Sequence, residues 1–129
     1  MTDIRIEAWA QTREQCVEEA VAALVEGVVD PGFDTEEAVE TWFPVPLATD
    51  AELLVMVLDE VIYRMTTTGQ IPVRTWVSAR ADDGLDVIQQ IVEPETLDAV
   101  SAPPDEVRLQ DLTFAAGETG WRCAAILAV

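Results

Sequence analysis

Two periods alternate along this chain. From Ala51 to Met65, the apolar residues Leu54, Val57, Leu58, Val61, Ile62 and Met65 recur at the i, i+3, i+4, i+7 spacing of one helical face. Thr49, three residues before Glu52, forms a capping-box pattern that satisfies unpaired N–H groups at the helix start. A second stripe, Val17, Ala20, Val21, Leu24 and Val28, follows the same pattern at Thr12 and Gln15 and stops at Pro31-Gly32. The remaining apolar positions alternate with period two. Ile4, Ile6 and Ala8 oppose Arg5, Glu7 and Trp9; Val39, Thr41, Phe43 and Val45 oppose Glu40, Trp42 and Pro44. Pro44 cannot donate to a ladder, which assigns its strand to a sheet edge.

Further on, Val73, Thr75, Val77 and Ala79 oppose Arg74, Trp76, Ser78 and Arg80. Asp83-Gly84 signals a hairpin, and Leu85, Val87, Gln89 and Ile91 share one face of the returning strand. The acidic, proline-containing stretch 93–105 reads as a connector with room for one helical turn. Val107 and Leu109 are out of phase with Leu112 and Phe114, which predicts a bulge or bend near Gln110-Asp111. After the turn at Gly117–Gly120, the last strand from Trp121 to Val129 is apolar on both faces, as a central strand would be. The order predicts an α+β two-layer sandwich, with two helices on one face of a mixed, mostly antiparallel sheet that includes the first and last strands.

Composition narrows the functions open to such a fold. The 129 residues, half of them apolar, suit one folded domain over 1–129. The formal net charge is −18, and the chain contains neither Lys nor His. Nucleic-acid affinity comes largely from cations neutralising phosphates, so direct binding to nucleic acid is not expected. Histidine-based acid–base or zinc chemistry is likewise not expected. Cys16 and Cys123 lie in apolar patterns without Cys-x-x-Cys spacing and read as free buried thiols of a reducing compartment. The opening Met-Thr-Asp-Ile-Arg lacks a signal-peptide pattern, and no apolar run reaches membrane-span length, so the expectation is a cytoplasmic protein. Trp9, Trp42 and Trp76 fall on the polar sides of their strands, together with Arg5, Arg74 and Arg80. Packing against the 93–105 connector is one account of these indoles; a partner surface is the other.

Several stretches resemble the archease family over nearly the whole chain. They are Thr-Asp-Ile-Arg-Ile-Glu-Ala-Trp at 2–9, Thr-Arg-Glu-Gln-Cys-Val-Glu-Glu-Ala-Val at 12–21, Leu-Asp-Glu-Val-Ile-Tyr-Arg-Met at 58–65 with Gly69 after it, and the closing strand from Gly120-Trp121 to Ile126-Leu127-Ala128-Val129. The resemblance implies a non-enzymatic accessory protein of an RtcB-type RNA ligase, which joins tRNA halves in splicing and repairs cleaved RNA. Such proteins promote guanylylation of the ligase with the help of a divalent metal. They act through an opening Asp, a Lys and a His in one segment, and a penultimate Asp; the two aspartates meet across neighbouring strands to hold the cation.

Carried over residue by residue, this set is depleted. Asp3 matches the opening Asp, but Asp105 stands at the Lys position, Gln110 at the His position and Ala128 at the penultimate Asp. Thr66 and Thr68 replace an Asp and a Glu of the turn before Gly69. A hard divalent cation such as Mg²⁺, Mn²⁺ or Ca²⁺ wants several oxygen ligands. Asp3 facing Ala128 offers a weak cation site or simply an exposed strand-start carboxylate. Two functions stay open: a ligase accessory protein with a weakened metal site, and an acidic protein-binding module that keeps the fold but has lost activation.

Overall fold

A computed structural model describes residues 4–28, 38–93, 106–107 and 112–128 of the chain. In chain order these form β1 (Ile4–Ala10), α1 (Arg13–Val28), β2 (Val39–Val45), α2 (Asp50–Thr67), β3 (Ile71–Ala79), β4 (Leu85–Val92), β5 (Glu106–Val107), β6 (Thr113–Gly117) and β7 (Gly120–Ala128). Asp3, Asp105 and Gln110 lie outside the described residues, as do residues 94–104 of the expected connector and the expected bend at Gln110-Asp111.

Both helices start where their local chemistry dictates. Gln15 N–H donates to Thr12 Oγ1 at 3.1 Å, and Glu52 N–H donates to Thr49 Oγ1 at 3.2 Å. Arg13 joins the two starts through an ion pair to Asp50 at 3.1 Å. At the far end of α2, Thr66 and Thr68 turn their hydroxyls back onto the Ile62 and Arg64 carbonyls at 2.9 and 2.7 Å. Gly69, at φ +73°, then lets Gln70 N–H reach the same Arg64 carbonyl. The predicted helical stripes are the centre of the core: Val17, Ala20, Val21 and Leu24 from α1, and Leu54, Val57, Leu58, Val61, Ile62 and Met65 from α2, are all buried.

The α+β layering is as expected, but among the described residues the sheet read as one is two. The first holds β1, β7 and β5 in that order, with β6 also paired to β7; the second runs β2-β4-β3. Every recorded pairing is antiparallel. Alternation tells which face of a strand is buried, not which strand lies beside it, so the split left no mark in the pattern. Strand β7 is central, flanked by β1 on one edge and by β5 and β6 on the other, while β2 is an edge strand, as Pro44 implied. Helix α1 lies against β1, β7 and β3, and α2 against β2, β3, β5 and β6, so the helices join the two sheets.

The hairpin between β3 and β4 forms at the expected place with different chemistry. Asp83, not Gly84, takes the positive φ of +67°. Asp83 N–H bonds the Arg80 carbonyl, and Arg80 N–H bonds the Gly84 carbonyl, closing a loop over Ala81–Asp83. Gly84 is needed for space, since a Cβ there would sit 2.3 Å from the Val45 carbonyl oxygen. One further contact ties α1 to the second sheet. Glu18 Oε2 accepts the Val77 N–H at 3.3 Å on the outer edge of β3. Burial raises the Glu18 pKa above its ordinary 4.5, against the lowering effect of that bond.

Candidate functional site

The sequence points to two places, the closing end of β7 and the exposed tryptophans. At the first, the backbone gathers the neighbours of the candidate positions. Leu127 of β7 has Ile4 of β1 on one side and Val107 of β5 on the other. Ala128 is paired with Glu106. The chain segments that begin after Asp3 and after Asp105 therefore converge on the end of the last strand. Glu106, a carboxylate-bearing residue across the ladder from Ala128, was missed in the sequence, because only the register reveals it. Of the residues expected to hold a cation, Ala128 supplies no side-chain oxygen, and Asp3 lies outside the described residues. Among the described residues, no group of three His, Cys, Asp or Glu side chains stands close enough to hold a metal ion.

The tryptophans separate. Trp9 lies on the outer face of the first sheet, 47% exposed, paired across the ladder with Arg122. A groove of about 400 Å³ runs beside it, bounded by Glu7, Thr113 and Arg122. Trp42 and Trp76 lie on the second sheet, 55% and 37% exposed. Register places both opposite Ile88, giving a row Trp42–Ile88–Trp76 across three strands. Counting back from the Arg80–Gly84 hairpin would have revealed the Trp76–Ile88 pair. The three arginines also divide: Arg5 pairs with Glu7 at 2.9 Å on the first sheet, whereas Arg74 and Arg80 border the Trp42–Trp76 row. All three indoles are exposed, and residues 94–104 of the connector offered as their cover lie outside the described residues.

The two cysteines meet beneath the first sheet. Cys16 Sγ of α1 lies 3.7 Å from Cys123 Sγ of β7, and both residues are buried and unbridged. Burial pushes the Cys123 thiol up to about 12 and raises Cys16 as well, so neither is a thiolate at neutral pH. These are packing residues, as the apolar pattern implied.

The Archease protein family (MTH1598/TM1083) matches residues 1–127. The chain belongs to the archease family. Over 128 residues it is 42% identical to "Probable protein archease" from two strains of Mycobacterium tuberculosis, CDC 1551 / Oshkosh and ATCC 25618 / H37Rv, covering 98% of this chain and 70% of each relative. The fold is that of an archease from Thermotoga maritima described as a possible chaperone, with TM-score 0.67 and 18% identity over 98% of this chain and 90% of that one. It is also that of Methanobacterium thermoautotrophicum protein 1598, with TM-score 0.64 and 19% identity over 100% and 94%.

Among the described residues, no helix is long and apolar enough to cross a membrane.

Proposed function

We propose that this archease is a non-enzymatic, cytoplasmic accessory protein of an RtcB-type RNA ligase in tRNA splicing or RNA repair, acting by protein contact, with activation and cation binding both weakened. The observation that carries the reading is family membership over residues 1–127 combined with the substitutions Asp105, Gln110 and Ala128. Charge gives the direction of the effect. A cation replaced by a carboxylate about 5 Å from a phosphate turns attraction into repulsion by about 1–3 kcal/mol each way at a surface-like dielectric. Guanylylation would then lose roughly thirtyfold to about twenty-thousandfold where that contact is made in the transition state. A cation would find Asp3 as the one matching carboxylate, so Mg²⁺, Mn²⁺ or Ca²⁺ should bind no tighter than about millimolar, the weak end for oxygen sites.

The test is a guanylylation assay of the ligase with the natural chain and with Asp105→Lys, Gln110→His and Ala128→Asp combined, alongside calorimetric titration with each cation. The restored chain should stimulate turnover more strongly and bind a cation more tightly. Full stimulation by the natural chain would show that these positions do not carry the activity. A micromolar site in the natural chain would contradict the weakened cation site, and Glu106→Gln would show whether the residue opposite Ala128 supplies the missing carboxylate. Binding to the ligase without stimulation by either chain would favour the second reading, an acidic module that has lost activation.

A further inference from the structure

We infer that the outer face of the second sheet, centred on Trp42, Ile88 and Trp76, is the surface by which this chain docks on a basic protein partner. The inference rests on the accessory-protein reading and assigns the contact to a definite face. The register stacks three cross-strand rows there: Glu40–Gln90–Arg74, Trp42–Ile88–Trp76 and Pro44–Asp86–Ser78. Both indoles are held in orientation while remaining exposed. Trp42 Nε1–H donates to Asp86 Oδ1 at 3.2 Å, and Asp86 is itself held by Arg80 Nη1 at 2.9 Å. The Arg74 guanidinium stands over the Trp76 ring, 4.9 Å from its centroid. Large aromatic side chains fixed before binding lose little entropy on docking, and Trp and Arg are the residues that dominate interface centres.

The occupant follows from charge and size. The row crosses three strands spaced about 4.8 Å apart. A stable interface needs about 800 Å² from each partner, so the footprint must run well past the row. Locally, Arg74 and Arg80 offset Glu40 and Asp86, but the chain around them carries −18. A partner that covers the row faces Glu40 and Asp86 within the rows and Asp82 of the hairpin beside them, and basic side chains complement those carboxylates. A second copy would bring the same negative charge against itself. Bases of RNA could stack on exposed indoles, but the same potential repels the phosphates.

The probe is the purified RtcB-type ligase of the same genome, titrated with the natural chain, Trp42→Ala/Trp76→Ala and Trp9→Ala. The double variant should bind at least about thirtyfold more weakly, as loss of a central anchor does, while Trp9→Ala stays within about threefold. Binding of the natural chain should also weaken with added salt. Thermal unfolding checks that each variant is folded. If the double variant is not, Trp42→Lys, which keeps an aliphatic stem at an exposed site and opposes a basic rim, should weaken binding in its place. Equal binding by the folded Trp42/Trp76 variant, or an equal loss with Trp9→Ala, overturns this assignment and leaves the ligase reading intact. No binding by the natural chain overturns both. A homodimer abolished by the double substitution would overturn the basic partner in favour of a second copy.

Discussion

The two sheets bury different chemistry. Facing the helices, the first sheet offers Ile6, Ala10, Cys123, Ala125 and Leu127, all buried and without a polar side chain beyond the thiol. On the second, a polar row crosses the same layer: Thr41, Gln89 and Thr75 are register partners on three strands. Gln89 is 1% exposed and donates from Nε2 to Thr75 Oγ1 at 3.1 Å. Thr41 Oγ1 is buried without a hydrogen-bond partner. An apolar face tolerates sliding so long as alternation is kept, whereas an amide that meets a hydroxyl at one position penalises a slip of two. The first sheet is instead located by the tight hairpin that opens β7. The contrast teaches that one core can fix register by buried polarity in one sheet and by turn geometry in the other.

The largest expected effects test the turn side of this contrast. At Gly120, a Cβ would stand 2.5 Å from the Ala10 carbonyl oxygen, and φ is +144°. Gly120→Ala combines a backbone clash with a strained dihedral and should cost about 3–4 kcal/mol in urea unfolding. Gly84→Ala meets the Val45 carbonyl without the dihedral strain and should cost about 2–3 kcal/mol. A smaller loss at Gly120 than at Gly84 would mean that the first sheet does not depend on its turn as argued.

A smaller effect of opposite sign tests the polar row. Thr41→Val removes a buried hydroxyl that has no partner while keeping the branched shape, and should stabilise the protein by about 1 kcal/mol. A loss of stability would show that the hydroxyl belongs to the row after all.

The smallest effect concerns the junction between the sheets. Folding raises the Glu18 pKa above 4.5, so the charged form is disfavoured in the native state. Its favourable contribution is present below the unfolded pKa and is lost as pH rises through the folded one. Glu18→Gln keeps an acceptor for Val77 N–H without the charge. It should raise the unfolding midpoint slightly at pH 7, and the gain should shrink as pH falls below 4.5. An equal gain at both pH values would dissociate the effect from titration.

The helices were legible because their determinants are local: Thr12, Thr49 and the two apolar stripes lie within a few residues of what they specify. The centrality of β7 was legible from its apolar run, and the edge position of β2 from Pro44. What failed was long-range. The sequence grouped Trp9 with Trp42 and Trp76, and Arg5 with Arg74 and Arg80, because alternation assigns a face without assigning a sheet. The hairpin was located, but the Asp83-Gly84 signal could not show that crowding by Val45 claims the glycine and leaves the left-handed position to Asp83. Of the candidate site, Ala128 could be placed by register beside Glu106, while Asp3, Asp105 and Gln110 fall outside the described residues. The pairing of Glu106 with Ala128 depends on strand neighbours far apart in sequence, which no local pattern encodes.

The bond from Val77 to Glu18 has a consequence for how this chain behaves in a crowd. A three-stranded sheet with open sides is a template on which other chains can add strands. On the β3 side, a helix carboxylate already occupies the Val77 donor and places negative charge where an incoming strand would lie. On the β2 side, Pro44 supplies no donor at all. Each margin thus opposes an added strand at one position through its own chain, one by occupying a donor and one by lacking it. The exposed indoles can then face outward without the strands beneath them recruiting copies into a fibre.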